Sequence, residues 1–338
     1  MSSAMLEELF QGRKHRLPAH QDILPRMYGS AWAAYRRIWD GGHRFEEHAF
    51  PVHMDFELNH SCNLRCNFCY WSRKAFAATA SSQVFPLDIF EAILADAVPR
   101  GLRSVNLENN NEPLLNRRFP EYVAAARRLG VLDVMFHTNG HLLTPEMSAR
   151  LIEAGLTRIF ISVDAFSADT YRAMRGGGEN GYAKVVENIH ALLVARSRLK
   201  ASLPLVTLCF LRSSVNKHEL EAFKAFWEPQ VELIHVQMYQ DFVAPAMRTG
   251  QDASLPERCA QPMVRMAVRV DGSVQPCCSF FGYERYVVGN VLTQSVQDIW
   301  DSEECRRLRT QMREGRLADN PICRECAMTW DCGEGEVS

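Results

Sequence analysis

The sequence predicts an α/β protein: a partial (β/α)6 barrel followed by a small C-terminal α+β extension. Three observations carry that expectation. From His53 to about Gln240, short β-branched or apolar runs alternate six times with longer helical patterns, polar residues gather just after the runs, and beyond Pro245 the alternation stops and cysteines become frequent.

The six strand-like runs are His53 to Asn59, Ser104 to Asn109, Leu132 to Asn139, Arg158 to Ala165, Pro204 to Leu211 and Leu233 to Gln240. The helices between them have readable ends. Pro86 opens the first and Gly101 follows it; Gly130 stops Arg117 to Leu129; Thr144, with Pro145 behind it, starts a third that Gly155 closes. Gly181 to Arg198 and Asn216 to Trp227 supply two more. Strands separated by helices imply right-handed crossovers and a parallel sheet, whose chemistry sits at the C-terminal strand ends. Polar groups collect there: Cys62, Asn109 to Glu112, His137 to Asn139, Ser162 with Asp164, Arg212, and Tyr239 to Asp241. In the tail, Met266 to Val270 and Ser273 to Gln275 flank Asp271-Gly272, a hairpin signal. Ser295 to Met312 reads as one helix, with Ser295 and Asp298 as a capping box. A boundary near Thr249 to Leu255 divides the chain into an N-terminal extension (1–50), the barrel (51–248) and the tail (249–338).

The bulk numbers disfavour some functions. With 338 residues, 47% hydrophobic and 23% charged, the chain can bury a full core. A net charge of -2, from 38 basic and 40 acidic residues spread along the sequence, gives no footprint for nucleic acid. No signal peptide and no run of roughly 18 apolar residues is found, so a cytoplasmic location away from membranes is expected. Within Met1 to Arg13, the segment Leu9 to Gly12 resembles a protease-cleavage scar. Eleven cysteines without an export signal then point to metal rather than disulfides.

Cys62, Cys66 and Cys69 follow the spacing C-x3-C-x2-C, so one short loop presents three thiolates to one metal centre. On a cubane, three ligands leave the fourth iron open to a small molecule. A zinc knuckle completed by His60 or a distant cysteine is the alternative reading of that spacing. The triplet, with Phe68 before its third cysteine and its loop straight after the first strand of a partial barrel, resembles the signature of the radical S-adenosylmethionine (radical SAM) superfamily. The resemblance implies that the cysteines hold a [4Fe-4S] cluster whose open iron binds S-adenosylmethionine, with Phe68 near the adenine. Reductive cleavage then yields a 5'-deoxyadenosyl radical that takes a hydrogen atom from an unactivated carbon. Asn110, Asn111, Glu112 and Pro113 are similar to the superfamily's Gly-Gly-Glu-Pro element, with asparagine in place of both glycines. Asparagine is the residue that next best tolerates a left-handed backbone. By the same resemblance Glu112 contacts the methionine amino group, Ser162 and Asp164 match ribose-binding positions, and Arg175, before Gly176, matches a carboxylate contact. Asn139 joins them, although Asn-Gly is also an ordinary turn pair.

In the tail, Cys259, Cys277 and the pair Cys323-x2-Cys326 form a four-cysteine set that suits zinc or an iron-sulfur cluster on spacing alone. Gly272-x4-Cys277, Gly289-Asn290, Ile299-Trp300 and the closing Cys-x2-Cys resemble the SPASM and twitch extensions of radical SAM enzymes. That resemblance implies an auxiliary [4Fe-4S] cluster on Cys259, Cys277, Cys323 and Cys326. Cys332 sits where a further SPASM ligand would be, and the chain ends too soon to supply a second auxiliary cluster. Cys209 reads as a core residue or a catalytic thiol, and Cys305 as an inert cysteine on an exposed helix.

A substrate radical beside a second cluster has two outcomes. Loss of an electron to the cluster and of a proton to a base, for which Asp241 is the candidate, is an oxidation. Return of a hydrogen atom from a thiol, Cys209 or Cys278, is an epimerisation. The expectation is dehydrogenation of a small natural product such as a sugar, aminocyclitol or aminoglycoside; peptide maturation is the alternative, because peptide-modifying relatives frequently carry an extra recognition domain for which the roughly fifty residues before His53 are expected to be too few. An electron donor such as flavodoxin or ferredoxin is the expected partner.

Overall fold

Along each barrel strand, alternate side chains are apolar and pack on helices, while the others face inward. The computed structural model describes residues 20–69, 77, 79–109, 111–238, 257–278 and 286–326. Tyr239 to Asp241, the boundary region Thr249 to Leu255, Asn110 and Cys332 lie outside the described residues. Six strands, β1 (His53–Phe56), β2 (Ser104–Asn106), β3 (Asp133–Thr138), β4 (Arg158–Ser162), β5 (Leu205–Arg212) and β6 (Leu233–Met238), lie side by side in sequence order and are all parallel. This is the expected open partial barrel. Met54, Phe56, Val105, Val134, Phe136, Ile159, Ile161, Val206, Leu208 and Phe210 form the outward face, buried against helical residues such as Phe90, Tyr122, Leu151, Ile189 and Trp227. Each such side chain contributes about 1.5–3 kcal/mol on burial.

Helix ends follow the predicted caps. Pro86 and Gly101 flank Leu87–Arg100, and the Thr144 hydroxyl accepts from Met147 N ahead of Pro145–Glu153. Three expectations need correction. Asn216 to Trp227 is a 3-10 turn, Lys217–Glu219, before a helix at Leu220–Trp227. Ser295 to Met312 is two helices, Val296–Trp300 and Glu303–Arg313, because the Ser302 hydroxyl accepts from Cys305 N and starts a new one. Cys305 is consequently turned inward and only 3% exposed. Ser295 caps Val296–Trp300 by accepting from Asp298 N, but the Asp298 carboxylate accepts from the Ser295 hydroxyl rather than from Ser295 N, so only the N-cap half of the expected capping box is seen.

The hairpin also forms, as β7 (Arg265–Val268) and β8 (Ser273–Gln275), closed by Gly272 N donating to Arg269 O. Gly272 has φ +82, and a Cβ there would meet Leu292 Cγ at 2.5 Å. What periodicity did not reveal is that β7 pairs in parallel with β1, so that the tail continues the barrel sheet on its β1 edge, with β9 (Gly289–Asn290) outermost.

The N-terminal helix Ser30–His43 was also unanticipated. It lies across the starts of the strands, and its partners are strand-initial residues. Trp39 meets His53 edge-on at 5.6 Å and lies 5.2 Å from the Arg265 guanidinium. Trp32 lies 5.7 Å from that of Arg158, and Tyr35 is hydrogen-bonded to Ser104 and feels the charge of Asp133. The helix therefore closes the barrel floor. Gly42 permits this fit, since a Cβ there would collide with Val264. No helix among the described residues is long and apolar enough to cross a membrane.

Replacing Trp32 with alanine is expected to cost about 3–5 kcal/mol in chemical denaturation, the range for a buried tryptophan. Met27→Ala, at a position 49% exposed on the preceding helix, should stay within about 0.5 kcal/mol of wild type.

Candidate functional site

The chain leaves β1 through Glu57 and Leu58 and turns into the Cys62–Cys69 loop at the C-terminal end of the barrel. Neighbouring loops hold it. Asn59 Nδ2 donates to Glu112 O and Asn59 Oδ1 accepts from Asn111 Nδ2; Asn139 Nδ2 donates to Asn63 Oδ1 at 2.8 Å; Asn67 Nδ2 donates to Ala173 O at 2.8 Å. Cys62, Cys66 and Cys69 then open on one cavity of about 190 Å³, shared with Phe68, Glu108, Asn111, Glu112, His137, Asn139, Ser162 and Arg175. The structure thus brings the sequence-predicted Phe68, Glu112, Asn139, Ser162 and Arg175 to the three cysteines.

Burial pushes the Cys62 thiol up to about 11 and the Cys66 thiol up to about 12, so both are neutral without metal. Cys62 also feels Glu112 and Cys69, and Cys66 feels Cys69, Cys62 and Asp164, like charges that add to the cost of ionisation, while Arg175 acts against it at both. Glu112 is 1% exposed, and protein donors hold its carboxylate: Oε1 accepts from Thr138 Oγ1 and Leu114 N, Oε2 from Asn139 N. Burial outweighs these donors and raises its carboxyl to about 7. Pro113 follows it as the first residue of a 3-10 turn.

Asp164, at φ +61, faces the protein rather than the cavity. Its Oδ1 accepts from Leu211 N, and its Oδ2 lies 2.7 Å from Arg175 Nε and 2.5 Å from Nη2. The same guanidinium directs Nη1 at Cys66 Sγ, 3.9 Å away, and lies 5.6 Å from the Phe68 ring centre.

Sequence reasoning missed Glu108 and His137 as a pair. Glu108 follows β2, His137 is on β3, and His137 Nδ1 lies 2.9 Å from Glu108 Oε1 with Phe160 stacked on the imidazole at 4.4 Å. Both line the cavity. The signal was present: the two residues lie near the ends of neighbouring runs, on the inward parity. Below them the inner face stays polar. Asn106 Nδ2 donates to Asp55 Oδ1 and Glu108 Oε1, Arg265 Nη1 is 3.6 Å from Asp55 Oδ2, and His53 Nδ1 is 2.8 Å from Ser104 Oγ.

Among the described residues, Cys259, Cys323 and Cys326 lie together at the other end of the barrel. Cys259 and Cys323 pack on the apolar cluster of Trp32, Tyr35, Met263, Leu308 and Met312. Burial, then the charges of Cys259 and Cys326, pushes Cys323 up to about 12. Asn320 caps the last helix, its Oδ1 accepting from Ile322 N and Cys323 N. Cys277 and Cys278 lie beside Arg265. Cys209 points inward from β5, only 3% exposed, and burial raises its thiol to about 12. Asp241 and Cys332 lie outside the described residues.

Among the described residues, no three His, Cys, Asp or Glu side chains are close-set enough for a single metal ion. Three thiols on one loop, facing a shared cavity with room for a further ligand, suit a cubane with one open iron.

Comparison with known proteins gives the same picture. A family model described as "Radical SAM superfamily" matches residues 56–223, and one described as "Iron-sulfur cluster-binding domain", SPASM, matches residues 259–327. The GTP 3',8-cyclase of Alkaliphilus oremlandii is 31% identical over 139 residues, 41% of this chain and 42% of that protein. The chain therefore spans less than half the length of that curated relative. Among solved structures, anSMEcpe with bound AdoMet aligns at a TM-score of 0.60 and 14% identity, covering 82% of this chain and 85% of that one. BtrN in complex with AdoMet and 2-DOIA aligns at 0.50 and 16%, covering 83% and 94%. At these identities the structural likeness is one of fold.

The raised Glu112 carboxyl has a measurable sign. Folding favours its protonated form, so its contribution to stability is full below the ordinary value of 4.5 and is lost as pH rises through about 7. Infrared difference spectra of wild type against Glu112→Gln should show a carboxyl titrating near 7. Thr138→Val, which removes a donor to the ionised form, should move it higher.

Proposed function

The chain belongs to the radical SAM superfamily and carries a SPASM iron-sulfur domain, and from that premise we propose that it oxidises a small polar natural product by two electrons. Its cofactors are S-adenosylmethionine and [4Fe-4S] clusters. In this reading Cys62, Cys66 and Cys69 hold the cluster that binds S-adenosylmethionine, and Cys259, Cys277, Cys323 and Cys326 hold the auxiliary one. When bound, S-adenosylmethionine and its cluster would supply a 5'-deoxyadenosyl radical for hydrogen-atom abstraction, and the auxiliary cluster would supply an acceptor for one electron.

What remains for the chain is to position the substrate and accept one proton. The observation that carries the reading is the Glu108–His137 contact at 2.9 Å on the wall of the cysteine cavity. A carboxylate beside an imidazole is a suitable acceptor for a hydroxyl or ammonium proton. Stacking on Phe160 fixes the ring, and the amide of Asn106 fixes Glu108 from below. The polar inner face, with Asp55, Asn106 and Arg265, favours a sugar, aminocyclitol or aminoglycoside over an apolar substrate. BtrN, whose fold this chain shares, was captured with 2-DOIA. A flavodoxin or ferredoxin would supply the first electron.

Epimerisation is the second reading, favoured by Cys209, whose thiol stays protonated and could return a hydrogen atom. Its side chain is 3% exposed, whereas Glu108 and His137 line the cavity, a difference that supports oxidation as the first reading.

Two measurements test the reading. Anaerobically reconstituted wild type should hold about eight irons, and the Cys62→Ala, Cys66→Ala, Cys69→Ala variant about four, one cubane per cysteine set. Four irons falling to none, with zinc retained, would remove the electron acceptor. The holoenzyme, S-adenosylmethionine and dithionite should then be offered 2-DOIA, glucosamine and GTP in D2O. A product two hydrogens lighter supports oxidation; an isomer carrying solvent deuterium on carbon supports epimerisation; turnover of GTP alone rejects the substrate class. Glu108→Gln should lower product formation roughly 100-fold or more while 5'-deoxyadenosine still forms.

A further inference from the structure

The buried Arg175 is placed to act on a cysteine sulfur. Its Nε and Nη2 are engaged by Asp164 Oδ2, at 2.7 and 2.5 Å, which leaves Nη1 aimed at Cys66 Sγ, 3.9 Å away. The guanidinium also lies 5.6 Å from the centre of the Phe68 ring, inside the same cysteine loop. Arg175 is 7% exposed, Cys66 7% and Asp164 1%, so little water screens this chain of charges. Asp164 is itself immobilised. Leu211 N donates to its Oδ1 at 2.6 Å, Asn216 Nδ2 donates to its backbone carbonyl at 2.9 Å, and its φ of +61 fixes an unusual backbone turn.

We propose that Arg175 sets the reduction potential of the cluster held by Cys62, Cys66 and Cys69, with Asp164 aiming it and moderating its charge. The inference rests on the reading that those three cysteines are the ligands. The physical ground is general: cluster potentials respond to net charge nearby, to hydrogen bonds on the ligating sulfurs and to exposure. A cation that donates toward a thiolate stabilises the added electron and raises the potential. The paired carboxylate takes part of that effect back, so the two residues pull in opposite directions. Arg175 is thus a positioning and tuning residue, acting through Cys66. The S-adenosylmethionine carboxylate, the partner that family resemblance assigns to Arg175, would find the guanidinium already directed by Asp164.

The test is an EPR-monitored redox titration of the reconstituted holoenzyme, reading the cluster whose signal changes when S-adenosylmethionine is added. Arg175→Met should shift its midpoint to more negative potential, Arg175→Lys should shift it less, and Asp164→Asn should shift it to more positive potential, with iron content unchanged in all three. The auxiliary cluster should not move in any of them. Unchanged midpoints in Arg175→Met and Asp164→Asn, or shifts of the same sign, overturn the proposal. Loss of the responsive cluster from both Arg175 variants also overturns it, because the guanidinium would then serve only to hold the loop. The ligand assignment fails separately, if the Cys62→Ala, Cys66→Ala, Cys69→Ala variant keeps the responsive signal.

Discussion

Both cysteine sites depend on the pairing of β1 with β7. An open barrel leaves the outer edge of its first strand with unpaired backbone groups, and here Arg265–Val268 satisfies them in register from His53↔Arg265 to Phe56↔Val268. Val52 N to Val264 O and Glu57 N to Val268 O extend the ladder at both ends. One consequence is geometric. The Cys62–Cys69 loop leaves the C-terminal end of β1, whereas Cys259 precedes β7 and Cys277 follows antiparallel β8 back to the N-terminal end. The two sets are thereby separated by at least the length of the strand, on the order of 13 Å for four residues at about 3.3 Å each. Between them lies the inner face of the barrel.

That inner face is costly to build. Buried polar groups must find partners, and buried charges must find opposite ones. Asp55 shows how this is met. Burial works against its ionisation, yet His53 and Arg265 beside it, with the Asn106 amide, hold it at about 2. The helix Ser30–His43 completes the arrangement by covering the strand-initial layer with Trp32, Tyr35 and Trp39, which tolerate cationic neighbours on their rings. Asp55 Oδ2, Asn106 Oδ1 and both ends of the Gln275 amide still have no hydrogen-bond partner among the described residues.

Much of this was legible because local rules carry it. Strand and helix periods placed all six barrel strands, the caps at Thr144 and Ser295 were readable from four residues each, and the Cys62–Cys69 spacing announced the first site. What stayed hidden was non-local. Nothing in Arg265 to Val268 says that its partner is His53 to Phe56, two hundred residues earlier. The aromatic spacing of Trp32, Tyr35 and Trp39 marks an amphipathic helix but not the barrel floor beneath it. Glu108 and His137 each look like an ordinary loop or strand-end residue until parallel pairing of β2 with β3 sets them side by side. Cys305 was misread because the continuous pattern from Ser295 to Met312 concealed the second cap at Ser302, and a helix restarted there turns its faces.

The same burial that hides these contacts shapes the first site's electrostatics. A loop that buries Cys62 and Cys66 keeps their thiols protonated, so assembling a cluster there must release protons and concentrate negative charge in a poorly solvated place. Glu112, another acidic group on the cavity, is pushed toward neutrality by burial as well. A second carboxylate, Asp164, would worsen the imbalance if it faced the sulfurs alone. It does not, because Arg175 stands between Asp164 and Cys66, with one edge on the carboxylate and Nη1 on the sulfur. The guanidinium is therefore a buried cation able to offset charge gathered on the loop, and the carboxylate behind it keeps it from moving away. Burial, which makes the thiols reluctant to ionise, also makes that buried cation effective.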